Sequence, residues 1–176
     1  MKRLLCLLIL STLISSATGQ KKVSIDFDGD GKLDYARLLG DDEGMMRIEY
    51  ALSSKGSKSM KSGLFMEGGF GSELSVDRNI LQLGMQSVGS NSLYKFRYSP
   101  KVGQVILIGY DYSYQGEEGA TSKSYNLLTG QFVGSYTERT GNRKPVTRKV
   151  NKTFPIKVYP LNTFSDDIIY EVAAIE

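Results

Sequence analysis

Asp26-Phe27-Asp28-Gly29-Asp30-Gly31-Lys32-Leu33-Asp34 places acids at the first, third, fifth and ninth positions of a loop and a glycine at the sixth. Alternate side chains of such a loop turn toward one centre. The glycine takes the backbone angles of the sharp turn, and a main-chain carbonyl near Lys32 offers a further oxygen. A hard cation such as calcium needs this kind of all-oxygen set. Without one the carboxylates repel, at about 1 kcal/mol per pair at ~4 Å in water and several times that where solvent is partly excluded. A plain acidic turn would also use Asp-Gly pairs, but it needs neither the regular spacing nor the acid at the ninth place. The expected ligands are therefore Asp26, Asp28, Asp30, the carbonyl at Lys32, and Asp34.

The residues on either side decide what the loop connects. Val23, Ile25 and Phe27 alternate with polar neighbours, which is the period of a strand. Tyr35-Ala36-Arg37-Leu38-Leu39 reads as a second short strand. A helix–loop–helix calcium site would place a bidentate Glu at the twelfth position, where this chain has Arg37. The ion is expected to close a strand–loop–strand unit.

In these residues, and in the Tyr35-Ala36 that follows, the chain resembles the calcium loop of FG-GAP and VCBS-type repeats, which also occurs in integrin β-propellers. The resemblance implies calcium held by the carboxylates of Asp26, Asp28, Asp30 and Asp34 and the carbonyl at Lys32. A single copy of the loop is present. Farther on, Phe96-Arg97-Tyr98, Leu107-Ile108-Gly109-Tyr110-Asp111 and Asn126-Leu127-Leu128-Thr129-Gly130 resemble a recurring pattern in small exported bacterial proteins of unknown function. That resemblance implies no activity.

The first nineteen residues read as an export signal. Lys2 and Arg3 precede the apolar run Leu4 to Ile14, and Ser15-Ser16-Ala17-Thr18-Gly19 supplies small residues for cleavage after Gly19. The run is shorter than the ~20 residues of a spanning helix, so no transmembrane segment is expected after cleavage. Residues 20–176 then form a single domain, periplasmic or secreted. Removing Lys2 and Arg3 takes the basic residues from 22 to 20, against 19 acidic ones. Such balance argues against a nucleic-acid partner. The one cysteine, Cys6, leaves with the signal, so a structural ion is the expected substitute for a disulfide.

Period two dominates the remainder. Strands are expected over Met45–Leu52, Asn79–Met85, Ser92–Tyr98 and Gln104–Tyr114, the last with Ile106, Ile108, Tyr110, Tyr112 and Tyr114 on one face. Ser124–Tyr136 reads as a hairpin about Thr129-Gly130. A shorter pair is expected at Pro145–Val150 and Phe154–Val158, with one short helix over Ser165–Ala173. Ser53–Ser62 and Gln115–Ser122 read as loops. About ten strands with at most a short C-terminal helix imply an all-β, mostly antiparallel sandwich or barrel.

The chain contains no histidine. That excludes Ser-His-Asp and Cys-His catalysis and the HExxH zinc sites. No Gly-rich phosphate loop is present. Ser92-Leu93-Tyr94-Lys95 has the SxxK spacing, but on a strand those two side chains point to opposite faces. The sequence therefore supports an exported calcium-binding module that acts as a binding or interaction protein of the cell envelope, with a protein or glycan partner. The alternatives are a carboxylate-dependent glycan hydrolase drawing on Glu117, Glu118, Asp166, Asp167 or Glu171, and an inhibitor or accessory protein that presents the 115–122 loop. The tyrosines at 110, 112 and 114 read as a core row or a stacking platform. Arg139, Arg143, Lys144, Arg148, Lys149 and Lys152 form the one local excess of charge.

Overall fold

The described residues form twelve strands, arranged as two antiparallel sheets. The structure is a computed structural model and describes residues 22–139, 141 and 144–175. The proposed export signal lies outside the described residues. The first sheet contains β1 (Lys22–Ile25), β2 (Asp34–Gly40), β3 (Met45–Ala51) and β4 (Ser59–Lys61) in sequence order, with β5 (Phe65–Met66) also paired to β3. The second is a seven-stranded meander of β6 (Gly71–Asp77), β7 (Ile80–Ser87), β8 (Ser90–Ser99), β9 (Gln104–Gly116), β10 (Gly119–Asn126), β11 (Gln131–Glu138) and β12 (Val146–Thr153). One helix, α1 (Asp166–Ala173), follows. Among the described residues the architecture is an all-β sandwich, with no closed barrel.

The core lies between the sheets because each contributes one apolar face. Ala36, Leu38, Ile48, Tyr50 and Phe65 from the first sheet belong to the same buried cluster as Leu74, Leu81, Leu83, Tyr94 and Phe96 from the second. Phe164, just before α1, is fully buried. Its ring stands edge-on to those of Phe65, Tyr94 and Phe96, with centroids 5.6, 5.4 and 5.0 Å away. Edge-to-face packing places positive ring edges on negative faces and adds to the burial of apolar area. The segment after the meander thus locks the two sheets together. Tyr50, whose hydroxyl is carried into this interior, is pushed up to about 12 by burial.

Several sequence expectations are corrected. The even face of β9 does not persist. Lys95 pairs with Gly109 and Phe96 with Leu107, so Ile108 is an extra residue, a β-bulge. A bulge reverses which parity faces inward. Val105 and Leu107 join the core on one side of it and Tyr110 on the other, while Ile106 bridges to Pro160. Gln115–Ser122 is not an open loop. β9 runs to Gly116, β10 starts at Gly119, and only Glu117 and Glu118 form the turn. Pro145–Val158 is not a strand pair, because the single strand β12 spans Val146–Thr153 along the whole of β11. Ser53–Ser62 contains a 3-10 turn at Ser53–Lys55 and then β4. The hairpin at Thr129-Gly130 forms as expected. Gly130 has φ 73°, and a Cβ there would sit 2.1 Å from the Phe154 carbonyl oxygen, so only glycine fits.

Replacing Phe164 with Ala should cost about 3–5 kcal/mol. The same change at Phe70, 69% exposed, should stay within about 0.5 kcal/mol. Urea denaturation of both variants checks this, and equal midpoints would show that the aromatic lock is wrongly placed.

Candidate metal centre

The loop is held at its first end by apolar anchors. Ile25 ends β1 buried, and Phe27 buries its ring in the core while the residues around it face solvent. Between them and β2 the backbone makes two reversals, at Gly29 (φ 77°) and Gly31 (φ 82°). No atom would obstruct a Cβ at either position, so glycine is required there by backbone conformation alone.

The acids then fold back onto the loop's own amides. Asp26 accepts from the N–H of Gly29 at 2.8 Å and of Gly31 at 3.1 Å, and Asp28 accepts from the N–H of Asp30 at 3.3 Å. Asp34, the first residue of β2, is only 3% exposed. Its Oδ2 accepts from Phe27 N–H at 2.9 Å and its Oδ1 from Ser53 N–H at 2.6 Å. A carboxylate oxygen from each of Asp26, Asp28 and Asp34 lies within 4.8 Å of the other two. These three residues can hold a metal ion, since hard cations with oxygen ligands at ~2.0–2.6 Å fit within such a separation.

The fourth acid is used differently. Asp30 lies outside that group of three. Its Oδ1 accepts from Lys32 N–H at 2.8 Å, and its Oδ2 accepts from the Ser53 hydroxyl at 2.9 Å. Ser54 donates its hydroxyl to Asp28 Oδ2. The 3-10 turn after β3 therefore forms a wall of the loop, which the sequence reading missed. Its only signal was the Ser-Ser pair itself. The pairing of Tyr35 with Ala51 is what brings residues 53 and 54 beside the acids. The turn also reaches the other sheet, because Lys55 Nζ donates to the Gly103 carbonyl at 2.6 Å.

Arg37, which stands where a helix–loop–helix site would place its Glu, has another partner. It lies directly across from Glu49 on β3, and its guanidinium donates to both Glu49 oxygens at 3.1 and 3.3 Å. Tyr35 donates its hydroxyl to the same carboxylate at 3.0 Å. Burial pushes Glu49 up, but hydrogen bonds from Tyr35, Arg37 and Ser59 and the Arg37 charge outweigh it and hold the carboxyl below its usual range.

The other candidate residues are dispersed. Glu117 and Glu118 occupy an exposed turn. Asp166 accepts from Met66 N–H at 3.0 Å, and Glu171 is tied to Lys157. Glu118 and Asp166 border separate grooves. Asp166, Asp167 and Glu171 share α1, whereas Glu117 and Glu118 form the turn between β9 and β10. Lys95 reaches Asp111 at 2.5 Å, on the face opposite Ser92. Tyr110 is buried against Tyr94, with centroids 5.0 Å apart, whereas Tyr114 remains 38% exposed. The tyrosines thus grade from core to rim. Arg148, Lys149 and Lys152 lie on β12, and Arg143 lies outside the described residues.

The lowered Glu49 sets a sign for acid sensitivity. Its stabilising contribution is present above the unfolded value of 4.5 and is lost as pH falls through the lower folded value. Urea midpoints measured from neutral pH downward should fall in that acid window, and Glu49→Gln should flatten this part of the profile. An unchanged profile in the variant would assign the acid loss elsewhere. Compared with protein-family models, curated proteins and solved structures, the chain matches none.

Proposed function

We propose that this chain is an exported interaction module of the cell envelope whose first two strands are fastened by one structural calcium ion. The observation that carries this reading is the convergence of Asp26, Asp28 and Asp34 within 4.8 Å. The donor set favours calcium over transition metals, since it contains only oxygen and the chain has no histidine. On the loop resemblance the Lys32 carbonyl would add an oxygen, and Asp30 would join the shell by giving up its bond from the Ser53 hydroxyl. No residue is assigned a catalytic role.

The cysteine count supports a structural use of the ion. The only cysteine is Cys6, so the chain can form no internal disulfide. No helix among the described residues is long and apolar enough to cross a membrane. Calcium bound at the loop would join β1, β2 and the turn after β3 in the absence of any covalent staple. Extracellular calcium modules bind with Kd of roughly 0.1–1 mM, so the ion adjusts stability rather than deciding whether the core forms.

At about tenfold excess over Kd, calcium should add ~1.4 kcal/mol. For a domain of this size that is a rise in Tm of about 3–6 °C. Asp28→Ala should abolish the rise and shift the calcium-free Tm by less than that rise, since Asp28 accepts only exposed bonds, from Asp30 N–H and the Ser54 hydroxyl. Differential scanning fluorimetry with calcium and with chelator checks both. Identical melting curves for the wild type under the two conditions would end the calcium reading.

A further inference from the structure

The two sheets end differently at their outer strands. At one side β6 lies beside β1 and β2, so the edges of the two sheets meet there. At the other side β12 pairs with β11 alone among the described strands. Every residue of β12 except the half-buried Val150 is exposed.

The backbone direction on this edge follows from one hydrogen bond. Phe154 N–H donates to Gly130 O at 2.9 Å, and the register from Gln131↔Thr153 to Glu138↔Val146 is unbroken. Hydrogen-bonded positions alternate along an antiparallel pair. The even residues of β12 therefore bond to β11, and Thr147, Lys149, Asn151 and Thr153 aim their N–H and C=O groups outward. Eight residues without a bulge span about 25 Å. Pro145 and Pro155 bracket the strand and do not interrupt it.

Charge selects what can join this edge. No acidic residue occurs between Arg139 and Ser165, whereas Arg148, Lys149 and Lys152 occur within β12 itself. The Arg148 guanidinium lies over the Tyr136 ring of β11, 4.8 Å from its centroid, on one face of the sheet. Charge on an edge strand normally discourages pairing. Charge of a single sign repels only a basic strand, including a second copy of this one, and attracts an acidic strand. We propose that the outer edge of β12 is a docking site for an acidic, extended peptide segment of a partner protein, which adds to the seven-stranded sheet as an eighth strand. Main-chain hydrogen bonds supply affinity in this mode of recognition, and flanking side chains supply selectivity.

The test uses a labelled synthetic peptide of about ten residues that alternates glutamate with threonine, followed by fluorescence anisotropy with the full chain. Binding should weaken with salt, and hydrogen exchange should slow at Thr147, Lys149, Asn151 and Thr153. Asn151→Pro removes one outward N–H and no charge, and proline is tolerated on such an edge. It should weaken binding by at least about tenfold, as should the Arg148→Glu, Lys149→Glu double variant. The same peptide N-methylated at alternate residues tests the backbone contact with the protein unaltered, and should lose binding equally. Absence of binding by the unmodified peptide would overturn the proposal. So would equal binding of the N-methylated peptide, or of disordered polyglutamate or phosphatidylglycerol vesicles without protection of those four amides, since each would reduce the edge to a general polyanion contact.

Discussion

The carboxylate of Asp34 ties three separate pieces of chain with two hydrogen bonds. One oxygen receives the amide of Phe27, whose ring is in the core, and the other receives the amide of Ser53, at the turn after β3. A buried carboxylate is costly unless its oxygens are satisfied. Here both are, by backbone donors that can only reach it if β1, β2 and β3 lie in their observed order. Yet the same carboxylate stands within 4.8 Å of two others. Backbone amides relieve part of that repulsion and leave the rest for a cation. The loop is therefore folded by its own hydrogen bonds and left with an electrostatic deficit at its centre.

How much of this was legible in the sequence depends on whether the information was local. The loop spacing, the turn at Gly31, the strands flanking it and the Thr129-Gly130 hairpin depend on near neighbours, and all are found where expected. The parity of β9 was misread because Ile108 forms a bulge against β8, and the unbroken apolar run Val105-Ile106-Leu107-Ile108 hides the shift. β6 was missed because its alternation is weak, with Leu74 its one fully buried side chain. Ser53 and Ser54 became part of the site only through the register of β2 with β3. Asp30 looked equivalent to its neighbours in spacing, but Ser53 drew its carboxylate aside. Except at β6, the missing information was a cross-strand pairing.

The same pairings explain the different use of two charged residues that a linear reading treats alike. Arg37 lies close to the acidic loop in sequence, but the strand turns its side chain toward Glu49 and away from Asp26 and Asp28. Lys55 also follows the loop in space, yet its ammonium goes to the Gly103 carbonyl of the other sheet. Neither cation neutralises the three clustered carboxylates. These two basic groups are engaged elsewhere, which leaves the loop four acids against its own Lys32.

The edges of the sandwich complete this division of labour. β1 has only four residues and pairs only with β2, and a short strand at an edge contributes little by itself. Its position depends on Ile25 and Phe27 in the core and on the clasp at Asp34 that follows them. Fixing β1 is what brings it against β6 and closes that side of the molecule. The opposite side has no such clasp. There β12 is longer, regular and basic, and its outward backbone groups remain in solvent. Acidic residues gathered at one side fasten the loop to its neighbours Phe27 and Ser53, and basic residues gathered at the other line the exposed edge strand β12.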